Sequence, residues 1–138
     1  MTKPKTLLEV FSGNETRLGR TKIELDRLPD SNLSPNKRLH HMALYKAKAA
    51  AKMDAVMLIL AQGKPPRPYE KAHITITWVA KDKRRRDTDN LFAAMKAYID
   101  GLVEAGLLVD DDAMRVSYTL RYERGTRNNT IINVEELG

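Results

Sequence analysis

The chain has 138 residues, 42% of them hydrophobic and 30% charged, with no cysteine and a net charge of +6. That length and balance suit one globular domain with its own core, and exclude a disordered chain, a disulfide framework and a thiolate metal site. The longest strongly apolar run, "AVMLILA", is too short to span a bilayer, and "MTKPKTLLEVFSGNE" has no apolar core with a small-residue cleavage site, so a cytoplasmic protein is expected.

In chain order, residues 1–20 are mixed and polar and read as an N-terminal arm or extension to a domain over 21–138. "TKIELDRLP" alternates Ile23, Leu25 and a distal Leu28 with charges, a strand ended by Pro29. "DSNLSPNKRLHH" is turn chemistry followed by basic residues. The Ala-rich run over 39–62 predicts a helix stopped by Gly63. "KPPRPYEK" excludes helix and central strand by its three prolines. "AHITITWVA" (72–80) is the clearest strand, with Ile74, Ile76 and Trp78 on one face. After the loop "KDKRRRDTD", a second helix is expected over 90–105, with Gly106 beyond its end. "MRVSYTLRYER" and "TIINVEEL" predict two strands joined by a hairpin-type turn through "GTRNN". The order β-α-β-α-β-β predicts an α/β fold, a mixed sheet with helices packed on it.

Charge is unevenly distributed. Residues 31–86 carry thirteen Lys/Arg against three acids, while residues 87–112 carry seven acids against Lys96 alone. A basic surround with an acidic focus suits a polyanion attracted broadly and a cation held locally.

Several motifs that begin with paired acids fail here. A calcium loop counted from Asp87 would need Gly and Glu where Phe92 and Tyr98 stand. There is no P-loop and no HExxH, and His40, His41 and His73 lack metal-ligand spacing among themselves. On a continuous second helix, Leu91, Met95, Tyr98 and Leu102 form the buried stripe. Asp89 and Lys96 fall within about 20° of one another on the opposite side. Lys96 either leans back toward what Asp89 holds or pairs with Asp100 four residues on. "LVDDDAM" returns carboxylates toward the next strand. Asp87, Asp89 and one of Asp111 or Asp112 would give hard oxygen ligands for Mg²⁺. Taken as structure, the same acids are turn and cap residues.

"RRRDTDNL" followed by "AGLLVDDDA", with "LSPNKRLHH" upstream, resembles the RusA-type Holliday-junction resolvases over residues 22–137. The resemblance implies a Mg²⁺-dependent endodeoxyribonuclease, with Mn²⁺ as the alternative ion, acting as a homodimer that nicks four-way DNA junctions in paired fashion. It implies that Asp87 and Asp89 bind metal. Counting from Gly106 selects Asp111 as the third ligand and aligning on Ala113 selects Asp112; Asp111 is expected, because a fixed helix-to-strand turn is the better ruler. The family's lysine, four residues after the second aspartate, falls on Ala93, so Lys96 is expected to substitute. Lys37, Arg38, Lys83, Arg84, Arg85 and Arg86 would contact the DNA backbone. Asn36 with His40 or His41 would order the loop, or a buried histidine would cap the helix. The alternative function is a nucleic-acid-binding module of the same fold without cleavage.

Overall fold

Period-two alternation builds the sheet. In β2 (Ala72–Ala80), Ala72, Ile74, Ile76, Trp78 and Ala80 are all buried on one face. The computed structural model describes residues 18–35 and 40–138, so residues 1–17 of the arm expected over 1–20, and Asn36, Lys37 and Arg38, lie outside the described part. The other strands are β1 (Arg20–Leu25), β3 (Val116–Arg124) and β4 (Asn129–Glu136). Ile23 of β1 and Ile132 and Val134 of β4 join the β2 residues in the core.

The sheet order is β1-β4-β2-β3, with β2 and β3 parallel and the other pairs antiparallel. This corrects the expected hairpin, because β3 and β4 are consecutive in sequence but separated by β2. The link over 125–128 crosses the end of β2, two strand spacings or about 10 Å, within the roughly 13 Å that four extended residues reach. Gly125 N–H donates to Ala80 O at 3.0 Å, and Lys81 N–H donates to Asn128 Oδ1 at 3.0 Å. The backbone passes so close that a Cβ on Gly125 would lie 2.5 Å from a Val79 methyl. The most apolar strand takes the centre, where both edges are paired. The half-exposed β3 takes an edge.

α1 (His41–Gln62) stops at Gly63, as expected. His40 caps it, Nδ1 accepting from Met42 N–H at 3.2 Å, but it is exposed, which corrects the buried capping histidine expected. Ala47, Ala51, Ala55 and Ile59 recur every four residues and are buried against the second helical segment. That segment is two helices, α2 (Thr88–Ala93) and α3 (Lys96–Glu104), not one. At the break, Met95 N–H donates to Phe92 O at 2.9 Å, a three-residue bond that tightens the turn. Phe92 of α2 packs edge-on against Tyr118 of β3, ring centres 4.9 Å apart, while α3 packs on α1. Each half thus serves a different partner. α3 ends at Glu104, and Gly106 just beyond it has a φ of 87°.

Together these elements make a single small α/β domain with a four-stranded mixed sheet and helices packed on it. The opposite sheet face is polar. There His73 lies 2.6 Å from Ser117 Oγ and 2.7 Å from Thr119 Oγ1. No described helix is long and apolar enough to cross a membrane.

Candidate functional site

The chain leaves the buried end of β2 at Ala80 and must reach α2 through seven residues rich in charge. Asp82 organises this loop. It accepts from Arg84 N–H at 3.0 Å and from both terminal nitrogens of Arg86 at 2.8 and 3.0 Å. The Arg86 guanidinium and then the Arg84 N–H hold the Asp82 carboxyl down at about 2. Arg86 also donates to Tyr122 OH at 3.0 Å, and its side chain is only 15% exposed. Arg86 therefore ties the loop to β3. Lys83, Arg84 and Arg85 remain exposed.

Asp87 stands at the N-cap of α2 but makes no side-chain cap bond. An N-cap aspartate ordinarily gives a carboxylate oxygen to the N–H of the first turn. Here Oδ1 meets Arg85 Nη2 at 2.9 Å instead. Asp89, in the first turn, is exposed and has no hydrogen-bond or ion-pair partner among the described residues. The positive end of the helix dipole favours both acids. Arg27, Arg84, Arg85, Arg86, Asp87 and Asn90 line a depression of about 480 Å³ beside them.

Lys96, the first residue of α3, lies on the same helical segment. Its Nζ donates to Asp100 Oδ1 at 2.7 Å and to Asp111 Oδ2 at 2.8 Å. The local i,i+4 pairing and the longer-range one both occur. The bond to Asp100, then that to Asp111, raises the Lys96 pKa above its ordinary value. Lys96 in turn lowers that of Asp111. With Phe92, Ala93, Ile99 and Tyr118 the pair lines a second depression of about 370 Å³. Burial, then the Asp111 charge, pushes the Tyr118 phenol up.

The three consecutive acids divide their roles. Asp110 Oδ1 accepts from Asp111 N–H at 2.8 Å, and Asp111 turns to Lys96. Asp112 accepts from Met114 N–H at 2.9 Å and Arg115 Nε at 3.1 Å, a turn brace leading into β3. Of Asp111 and Asp112, Asp111 is the one bonded to Lys96.

The donor set, carboxylate oxygen throughout, is right for a hard divalent cation. The geometry shown does not assemble it: among the described residues no three His, Asp or Glu side chains come together as an ion-holding group. Asp87 is engaged by Arg85 and Asp111 by Lys96. The structure thus joins Lys96 to Asp111 and Arg85 to Asp87, but leaves the two pairs on different depressions.

The Asp82–Arg86–Tyr122 strut and the Phe92–Tyr118 wall were not foreseen from sequence. The four-residue spacing of Asp82 and Arg86 was a usable signal, obscured because that pairing rule belongs to helices and this segment is a loop. No protein-family model matches the chain, and no curated protein matches it.

Proposed function

We propose that the protein is a divalent-cation-dependent endodeoxyribonuclease that cuts branched DNA, acting as a homodimer on four-way junctions. The observation that carries the reading is the link from Lys96 to Asp111. It ties the acidic turn before β3 to α3, the helix that follows the one opening with Asp87 and Asp89. Asp87, Asp89 and Asp111 would hold the ion. When bound, it supplies an activated water and neutralises charge developing on the phosphate.

The chain's own residues do the rest. Lys96, its pKa raised by Asp100 and Asp111, stays protonated at neutral pH. It therefore acts as a fixed positive charge toward a phosphate oxygen, not as a base. Lys83, Arg84 and Arg85, exposed on a loop braced by Asp82 and Arg86, suit contacts to the DNA backbone that position without reading sequence.

A second reading, a nucleic-acid-binding module without cleavage, is favoured by Ala93 at the resemblance's lysine position and by carboxylates already paired with cations. Gel-shift and cleavage assays on one labelled four-way junction separate the two readings. Binding in EDTA with cutting on addition of Mg²⁺ supports the nuclease. Equal binding with no cut in Mg²⁺ or Mn²⁺ supports the module.

A further inference from the structure

The depression beside Asp87 is furnished for more than a phosphate. Arg84 and Arg85 line it exposed, Arg85 sharing its charge with Asp87, while Arg27 and Arg86 on its wall are committed to Asp54 and Asp82. Cations alone would suffice for a backbone phosphate. The same walls also hold Leu28, Pro29 and Leu91, apolar and partly buried. With them stand two partly buried asparagines, Asn90 and Asn128. The Asn90 side-chain amide has no partner among the described residues. Asn128 spends only its carbonyl, Oδ1 accepting from Lys81 N–H at 3.0 Å, so its NH₂ group keeps both donors.

A side-chain amide offers a donor and an acceptor side by side, which matches the edge of a nucleobase and exceeds what a phosphate can use. Apolar walls and guanidinium planes suit the faces of a base. At about 480 Å³ the depression falls within the range of small-ligand pockets, about 300–1,000 Å³. It has room for one nucleotide and none for a duplex. In paired DNA the base edges and faces are already occupied, and at a branch point a nucleotide leaves the stack at least cost. Asp87 lines the same depression. A nucleotide lodged there therefore brings its phosphate to one of the carboxylates proposed to hold the ion.

We infer that this depression is a pocket for a single unstacked nucleotide, its base edge on the amides of Asn90 and Asn128 and its phosphate on Arg84 and Arg85. Selectivity for branched over linear DNA then arises in the pocket, because only branched DNA presents a nucleotide able to enter. The inference rests on the branched-DNA reading for its substrate, but its test needs neither metal nor cleavage.

In EDTA, the deoxynucleoside monophosphates and inorganic phosphate are each titrated against the full chain, with the side-chain amide resonances of Asn90 and Asn128 as the readout. At least one nucleotide is expected to shift both amides and to bind about tenfold more tightly than phosphate, as two added hydrogen bonds allow. Asn90→Ala, a change that helix propensity favours, should remove that advantage and leave phosphate binding and circular dichroism unchanged. In a four-way junction, a fluorescent base analogue at the branch point should brighten on binding wild type. It should not brighten within an arm, or with Asn90→Ala. Nucleotides that bind no better than phosphate, an advantage that survives Asn90→Ala, or equal brightening in arm and branch would overturn the pocket. A junction nicked in Mg²⁺ by a chain that binds no nucleotide would remove the pocket and leave the nuclease. Nucleotide binding with no nick in any metal would remove the nuclease and keep the pocket.

Discussion

Lys96 Nζ sits 2.8 Å from Asp111 Oδ2, joining the first residue of α3 to the turn that precedes β3. The same ammonium meets Asp100 at 2.7 Å, so one cation is shared by two carboxylates. The Asp111 side chain is 20% exposed, whereas that of Lys96 is 65% exposed.

Replacing Lys96 with Met removes the main cause of the low Asp111 pKa. The Asp111 carboxyl is expected to titrate higher in the variant, as read by carboxyl-carbon NMR. Because its folded pKa is depressed, Asp111 contributes stability above its unfolded value and loses it as pH falls through the folded one. That acid-side contribution should shrink in Lys96→Met. An unmoved Asp111 titration would mean that the ion pair does not persist in solution.

Asp82 makes the corresponding prediction for the loop. Its carboxyl is held at about 2, below the ordinary 3.8. The stabilisation is present above pH 3.8 and lost as pH falls through about 2. Denaturant midpoints of the wild type and Asp82→Asn should differ at neutral pH and converge toward pH 2. A constant difference across that window would assign the loss to something other than the charge.

Gly101 tests the packing of α3 on α1. A Cβ there would stand 2.5 Å from Lys52 O and 2.8 Å from Ala55 Cβ, closer than any side chain tolerates. Gly101→Ala therefore forces the helices apart, at a cost of about 1–3 kcal/mol typical of overpacking. Urea unfolding reads it directly. A stabilised variant, as helix propensity alone would give, would contradict the close approach.

Arg84 and Arg85 are exposed, whereas Arg86 is bound to Asp82 and Tyr122. Arg84→Gln with Arg85→Gln should weaken DNA binding for all sequences alike and lower the salt-dependence slope by about two. Arg86→Gln should instead loosen the loop and lower thermal stability with a smaller effect on that slope. Equal slopes for the two variants would place Arg86 among the DNA contacts.

Where the signal was local, sequence and structure agree closely. β2 follows from strict alternation around Ile74, Ile76 and Trp78, and both helix stops follow from Gly63 and Gly106. Position of β4 between β1 and β2 was not legible, because strands next to each other in sequence ordinarily pair, and only the dominance of β2 in the core decides otherwise. Nor was the break at Ala94–Met95, since both are good helix formers and the cause is what each half packs against. At the site, Lys96 was legible as a candidate by helical spacing. Its second partner, and the division of Asp111 from Asp112, depend on where the turn after Gly106 returns the chain.

The most direct test of the nuclease reading is cleavage of an end-labelled four-way junction beside a linear duplex of matching sequence. Wild type would be assayed in Mg²⁺ and in EDTA, with Asp89→Asn alongside. Asp89 is exposed and has no partner among the described residues, so its loss should leave the fold intact. The account predicts paired nicks confined to the junction, abolished by EDTA and by the variant. Uncut junction in every metal, or cutting that Asp89→Asn leaves unchanged, would contradict it.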